Sequence, residues 1–143
     1  MRIALAADHA GYYLKEELKK RLLEAGHEVA DVGTHSSESS DYPDFGHSAV
    51  RKILEKEAER GIFFCGTGAG MAITANRHRG IRAVVCFTVE IARLARAHND
   101  ANVLCLAARF VDAETAWQIA QAFLTTEFEG GRHLRRIEKI DRS

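Results

Sequence analysis

An α/β fold, with a five-stranded parallel sheet between two layers of helices, is what this sequence predicts. Two observations carry that reading. Five short apolar runs alternate along the chain with stretches of helical periodicity, the pattern of strands joined by helical crossovers. The third run stops at a cysteine, and a glycine-rich turn, Cys65-Gly66-Thr67-Gly68-Ala69-Gly70, leads from it into a helical pattern. In a parallel sheet, that is a strand end opening onto the crevice where ligands bind.

The elements follow in order. Arg2 to Ala7 reads as the first strand. Helix one covers Tyr12 to Ala25, with Leu14, Leu18, Leu22 and Leu23 on one stripe, and Gly26 closes it. His27 to Val32 is the second strand. A polar loop, Gly33 to Asp44, holds the only proline, Pro43, and loops of that length are often functional. Helix two is expected over Phe45 to Arg60 and strand three over Gly61 to Phe64. A short helix, Gly70 to Arg77, precedes strand four at Arg82 to Cys86. Helix four runs from Val89 to His98 and strand five from Val103 to Leu106. Helix five spans Ala113 to Leu124, with Trp117, Ile119, Ala120 and Phe123 inward. A last helix, Arg132 to Ile140, is expected outside the sandwich, against another subunit. No composition shift or repeat divides the chain, so residues 1–143 form one domain with a Rossmann-like three-layer architecture.

Composition narrows the function. Twenty basic residues balance twenty acidic ones, which argues against nucleic acid as a partner. No apolar run approaches the roughly 20 residues that cross a bilayer. Asp8 and His9 interrupt the apolar start too early for a signal peptide, so a cytoplasmic protein without membrane contact is expected. The three cysteines are widely spaced and odd in number, which makes a disulfide framework or a zinc site a poor fit. Cys86 and Cys105 sit within apolar strands as packing residues. Cys65 differs because it ends its strand at the glycine turn, as a thiol placed for chemistry or as packing beside a plain turn.

Several polar groups converge on that strand end. Glycines admit a ligand close to the backbone, and a helix N-terminus offers free N–H groups to an anion. The turn is not a phosphatase loop or a dinucleotide fingerprint, because Met71 stands where an arginine or a glycine is required, and it lacks the Gly-Lys-Ser/Thr of a P-loop. Asp8 and His9, at the end of strand one, should lie beside Cys65, to move protons or hold phosphate; alternatively, Asp8 caps helix one. His98-Asn99 offers a group that titrates near neutrality and an amide donor, or is a polar turn. Arg132 and Arg136, four apart, form a guanidinium fork for phosphate, or a solvated basic face. Tyr42 is placed to close over a ligand, or simply marks a turn at Pro43. His78 is expected to serve the end of helix three. The set suits cofactor-free and metal-free chemistry on a phosphorylated small molecule.

On these residues the chain resembles the sugar-phosphate isomerase family that holds the B-type ribose-5-phosphate isomerases and the galactose-6-phosphate isomerase subunits. The similar blocks are Ala7 to Gly11 with Leu14-Lys15, Ser40 to Asp44, Cys65 to Gly68 with Ala75-Asn76, Gly80 to Ala83, His98 to Leu104, and Phe128 to Arg136, in the family's order. The resemblance implies an aldose–ketose isomerase of the pentose phosphate pathway, acting on ribose 5-phosphate and ribulose 5-phosphate through an enediolate. It implies Cys65 as the base, with the backbone N–H groups of Gly66, Thr67, Gly68, Ala69 and Gly70, together with Asn99, steadying the oxyanion. Thr67 would help to move the proton between the two oxygens, and His98, with Asp8, would open the sugar ring. Arg132, Arg136 and His9 would hold the phosphate, with Arg109 near the substrate. A second branch of the family uses a glutamate later in the loop; Ala69 stands there, which matches the cysteine branch. The family site is shared between subunits, so a homodimer or a dimer of dimers is implied. Rival readings are a six-carbon substrate (allose 6-phosphate or galactose 6-phosphate), a phosphosugar-binding protein without turnover, and a cysteine hydrolase, which Met71 disfavours.

Overall fold

The computed structural model describes residues 1–142. Five parallel strands stand in the order β2-β1-β3-β5-β4. They are β1 (Arg2–Ala7), β2 (Glu28–Asp31), β3 (Arg60–Cys65), β4 (Ala83–Val85) and β5 (Val103–Ala107). The helices are α1 (Tyr12–Glu24), α2 (Tyr42–Leu54), α3 (Ala69–Asn76), α4 (Val89–Asn99), α5 (Ala113–Thr125) and α6 (Arg132–Glu138), and a single 3-10 turn follows at Ile140–Arg142. The expected layered α/β architecture is present. Among the described residues no helix is long and apolar enough to cross a membrane.

Strand alternation splits the core in two. Ile3, Leu5, Ile62, Phe64, Leu104 and Leu106 point toward one face and pack with α1, α4 and α5. Ala4, Ala6, Phe63, Cys65, Val103 and Cys105 point the other way, against α2 and α3. Both faces are covered, which is why these strands read as continuous apolar runs rather than alternating ones. Each buried Leu or Phe contributes roughly 1.5–3 kcal/mol.

Most element ends shift by one or two residues from the sequence expectation, and helix two and strand four are the instructive cases. Helix two begins at Tyr42 rather than Phe45, because extended Asp41 precedes it and Pro43 sits in the first turn, where a missing N–H costs nothing. It ends at Leu54 rather than Arg60. Lys56 adopts φ 62°, and Glu57 and Ala58 both donate backbone N–H bonds to the Lys52 carbonyl, which turns the chain into β3. Strand four covers Ala83–Val85, one residue shorter at each end; at its start the Arg82 N–H donates to Asn102 Oδ1 (2.7 Å) and the Ala83 N–H to Asn76 Oδ1 (2.8 Å).

One buried charge cluster anchors the site end of the sheet. Lys15 is fully buried, its Nζ 2.6 Å from Asp31 Oδ2, with Lys19 Nζ 3.0 Å from the same oxygen. Asp31 Oδ1 accepts the Gly33 N–H (2.9 Å), and the Gly33 carbonyl accepts the Ala7 N–H (2.7 Å). Helix α1, the end of β2 and the end of β1 are thereby tied together. Burial alone would raise the Asp31 pKa; the bonds from Lys15, Gly33 and Lys19 outweigh it, so the carboxyl lies below its ordinary value.

Candidate active site

Sheet register assembles the first cluster. Ala7 pairs with Phe64, and the Asp8 N–H donates to the Phe64 carbonyl (3.3 Å), which sets Asp8 and His9 beside Cys65. This is where strand order reverses, β2 lying on one side of β1 and β3 on the other. On the far side of β3 the ladder continues past the strand ends: the Ala108 N–H donates to the Cys65 carbonyl (2.9 Å) and the Arg109 N–H to the Gly66 carbonyl (3.1 Å). Asp8, His9, Ala10, Tyr42, Cys65, Gly66, Thr67, Gly70 and Arg109 line one cleft of about 260 Å3.

The turn after Cys65 depends on two of its glycines. Gly68 stands at φ 79° and caps α3, a backbone state that disfavours a side chain. A Cβ on Gly70 would fall 2.6 Å from the Tyr42 ring, so only glycine lets that ring close the cleft wall. Thr67 Oγ1 accepts the Ala69 N–H (3.2 Å), and the Ala72 N–H returns to the Gly68 carbonyl (3.1 Å). The N–H groups of Gly70 and Met71 have no partner among the described residues, so the α3 N-terminus retains donors for an anion. The Arg109 guanidinium lies over the loop, its Cζ 3.1 Å from where a Gly66 Cβ would be.

Asp8 and His9 are both held by the backbone. Asp8 Oδ1 accepts N–H bonds from Ala10 (3.0 Å) and Gly11 (3.1 Å). These bonds close the turn before α1, whose N-cap is Gly11 without a side-chain bond, so Asp8 does not cap helix one as the alternative reading had it; its carboxylate lines the cleft. The His9 N–H donates to Ser40 Oγ (3.1 Å), and the Ser40 N–H donates to His9 Nδ1 (3.2 Å). The sequence placed Ser40 in a block similar to the family's but gave it no role of its own.

A second cluster lies apart. His98, Asn99, His133 and Arg136 line a different cavity, of about 340 Å3, that shares no lining residue with the first. The His98 ring stacks on His133, centroids 4.4 Å apart, and His98 Nε2 lies 3.7 Å from Glu129 Oε2. Burial, with His98 and Arg132 alongside, holds the His133 imidazole below its ordinary pKa. Asp100 fixes the end of α4 in a left-handed conformation (φ 46°). Arg96 Nη1 donates to its Oδ1 (2.8 Å) and Arg82 Nη2 to its Oδ2 (3.3 Å). Arg132 opens α6 and Arg136 follows one turn later, both exposed. The structure thus joins Asp8, His9, Tyr42, Cys65, Thr67 and Arg109, and separately His98, Asn99 and Arg136. His78 lies elsewhere, its Nε2 2.7 Å from His47 Nδ1.

An isolated thiol at a helix N-terminus, flanked by a carboxylate, an imidazole and a guanidinium, suits proton transfer on an anionic small molecule. The chain belongs to the Ribose/Galactose Isomerase family, whose model matches residues 3–140. Among curated relatives, ribose-5-phosphate isomerase B of Escherichia coli is 46% identical over 139 residues, covering 97% of this chain and 93% of that protein. The crystal structure of a ribose 5-phosphate isomerase from Thermotoga maritima superposes with a TM-score of 0.98 at 55% identity, covering 99% of this chain and 98% of the other. A Mycoplasma genitalium ribose-5-phosphate isomerase B with bound ribulose 5-phosphate gives a TM-score of 0.93 at 40% identity, covering 99% and 94%.

Proposed function

We propose that this protein interconverts ribose 5-phosphate and ribulose 5-phosphate, with Cys65 as the base. The supporting observation is the thiol at the lip of the α3 N-terminus, in one cleft with Asp8, His9, Thr67 and Arg109. The thiolate takes the proton from C2 of the open-chain aldose, and the electron pair moves into the C1 carbonyl to give an enediolate. The unpartnered N–H groups at the start of α3 face that developing charge, where preorganised donors act most strongly. Thr67 relays the proton between the two oxygens. The Cys65 S–H then returns its proton to C1, and the carbonyl forms at C2.

Ring opening falls to His98 of the second cluster together with Asp8 of the first, Asn99 is a further oxyanion donor, and Arg132 and Arg136 of α6 hold the phosphate with His9 of the first cleft. Because the two clusters line separate cavities, we assign the second to another copy of the chain, so that each site draws on two subunits of a homodimer. Large apolar side chains stand exposed beside both clusters, Phe110 (68%) after Arg109 and Leu134 (49%) after His133, as such an interface requires. A reducing cytoplasm goes with a catalytic free thiol.

A coupled assay for ribulose 5-phosphate, run on the intact protein beside Cys65→Ala, tests this reading. The variant is expected to lose at least about a hundredfold in kcat, the usual weight of a general base, while still binding substrate. Wild-type turnover in Cys65→Ala would remove the base assignment; no conversion by the intact protein would remove the substrate.

A further inference from the structure

Three side chains outside the thiol cleft carry metal-ligand chemistry. His98, Glu129 and His133 each offer one donor atom, and these atoms all lie within 4.8 Å of one another. Glu129 bridges the pair: its Oε2 is 3.7 Å from His98 Nε2, and its Oε1 is 3.9 Å from His133 Nε2. Two imidazoles and a carboxylate form a donor set that suits Zn2+ and its neighbours in the first transition row, with a fourth position open. Donor atoms around a tetrahedral zinc lie roughly 3.3–3.5 Å apart, given bonds of about 2.0–2.2 Å. The three donor atoms, up to 4.8 Å apart, stand wider than that, so an ion needs them drawn together by about an ångström.

Backbone geometry prepares two of the three ligands. The Glu129 N–H donates to the Ala97 carbonyl (3.0 Å), which fixes this stretch against α4. The chain then reverses through Gly130 (φ 68°) and Gly131 (φ 56°), and the His133 N–H returns to the Gly130 carbonyl (3.1 Å). That turn brings His133, whose side chain is 10% exposed, back over Glu129. His98 is the adaptable ligand, with its side chain 39% exposed. The rings are nearly parallel, 13° between planes, so one ion cannot lie in both ring planes as they stand. A turn of the more exposed His98 about its Cβ–Cγ bond, off the stack and toward Glu129, would close the site with buried His133 in place.

We infer that His98, Glu129 and His133 form a regulatory site for a divalent transition-metal ion, zinc by donor type. Occupancy takes the His98 lone pair and removes that imidazole from proton transfer. The ion is thus an off-switch that competes with the sugar phosphate. Mg2+ and Ca2+ do not serve, because they prefer oxygen ligands.

Binding stands independently of the isomerase reading; inhibition rests on it through the role of His98. Calorimetric titration with Zn2+, in a buffer free of phosphate, separates the two. It should find one ion per chain in the intact protein and in Cys65→Ala, and binding weaker by at least about 10-fold in Glu129→Gln and in His133→Gln. Co2+ should give the visible absorption of a low-coordinate site in the intact protein but not in Glu129→Gln. In the isomerase assay, Zn2+ should raise the apparent KM of the intact protein, and Glu129→Gln should be insensitive. Undiminished Zn2+ binding in Glu129→Gln, or loss of binding in Cys65→Ala, overturns the site, the latter because the ion would then sit on the thiol. Stoichiometric binding without any change in turnover keeps the site and overturns the switch.

Discussion

Three cysteines of one chain occupy three different environments. Cys105 is fully buried in β5, and burial pushes its thiol well above the ordinary value. Cys86, just past β4, is pushed up to about 12 by the same cause. Both stay protonated at any working pH and act as small apolar side chains. Cys65 alone lines a cleft, beside a helix N-terminus and Arg109. The first equivalent of iodoacetamide is therefore expected on Cys65, read by peptide mass mapping. Saturating inorganic phosphate should slow that reaction, since His9 and the free N–H groups at the start of α3 offer the anion a place in the same cleft. Labelling spread evenly over the three thiols would contradict the distinction.

Among the elements, the tie between α1 and β2 has the clearest energetic consequence. Lys15→Met leaves Asp31 buried with only Lys19. Removing one partner of a buried pair costs about 3–5 kcal/mol; with Lys19 remaining, a loss near the low end is expected by urea unfolding at pH 7. The folded-state pKa of Asp31 is depressed. Its contribution is therefore full above the unfolded carboxyl value of about 3.9 and is lost as pH falls through the folded value. The gap between the intact protein and Lys15→Met should accordingly narrow below about pH 4. A gap that stays constant down to pH 3 would mean the stability of α1 does not come from this pair. None of this pairing was legible in the sequence, where Lys15 falls in a block similar to the family's but nothing marks Asp31 as its partner. Period and punctuation did reveal the element order, the Cys65 turn and the inward stripe of α5. They missed the end of α2, because Lys56 takes a left-handed turn that sequence reading assigns to glycine. They also missed the Ser40–His9 pairing, because nothing local marks a contact between residues 31 positions apart.

For the whole molecule, the division of the site into two cavities is the feature that most constrains function. A base and an acid that serve one small substrate must both reach it, within about 3 Å of the atoms they act on. Cys65 and His98 line cavities of this chain with no residue in common. The proposed twofold axis would resolve the conflict, because an isologous interface would set the thiol cluster of each copy against the imidazole cluster of the other and generate two equal sites. Complementation between inactive variants then follows. Cys65→Ala and His98→Asn should each be inactive alone. In a Cys65→Ala/His98→Asn hybrid, one site combines the intact thiol with the intact imidazole, and the other combines both lesions. Random reassociation of equal amounts makes half of the dimers hybrids, so activity should return to about a quarter of the intact level. The recovered activity should keep the intact KM, since the restored site is complete. Reassociated mixtures that stay inactive, although mass spectrometry shows the hybrids to have formed, would place thiol and imidazole in the service of one subunit and remove the shared site.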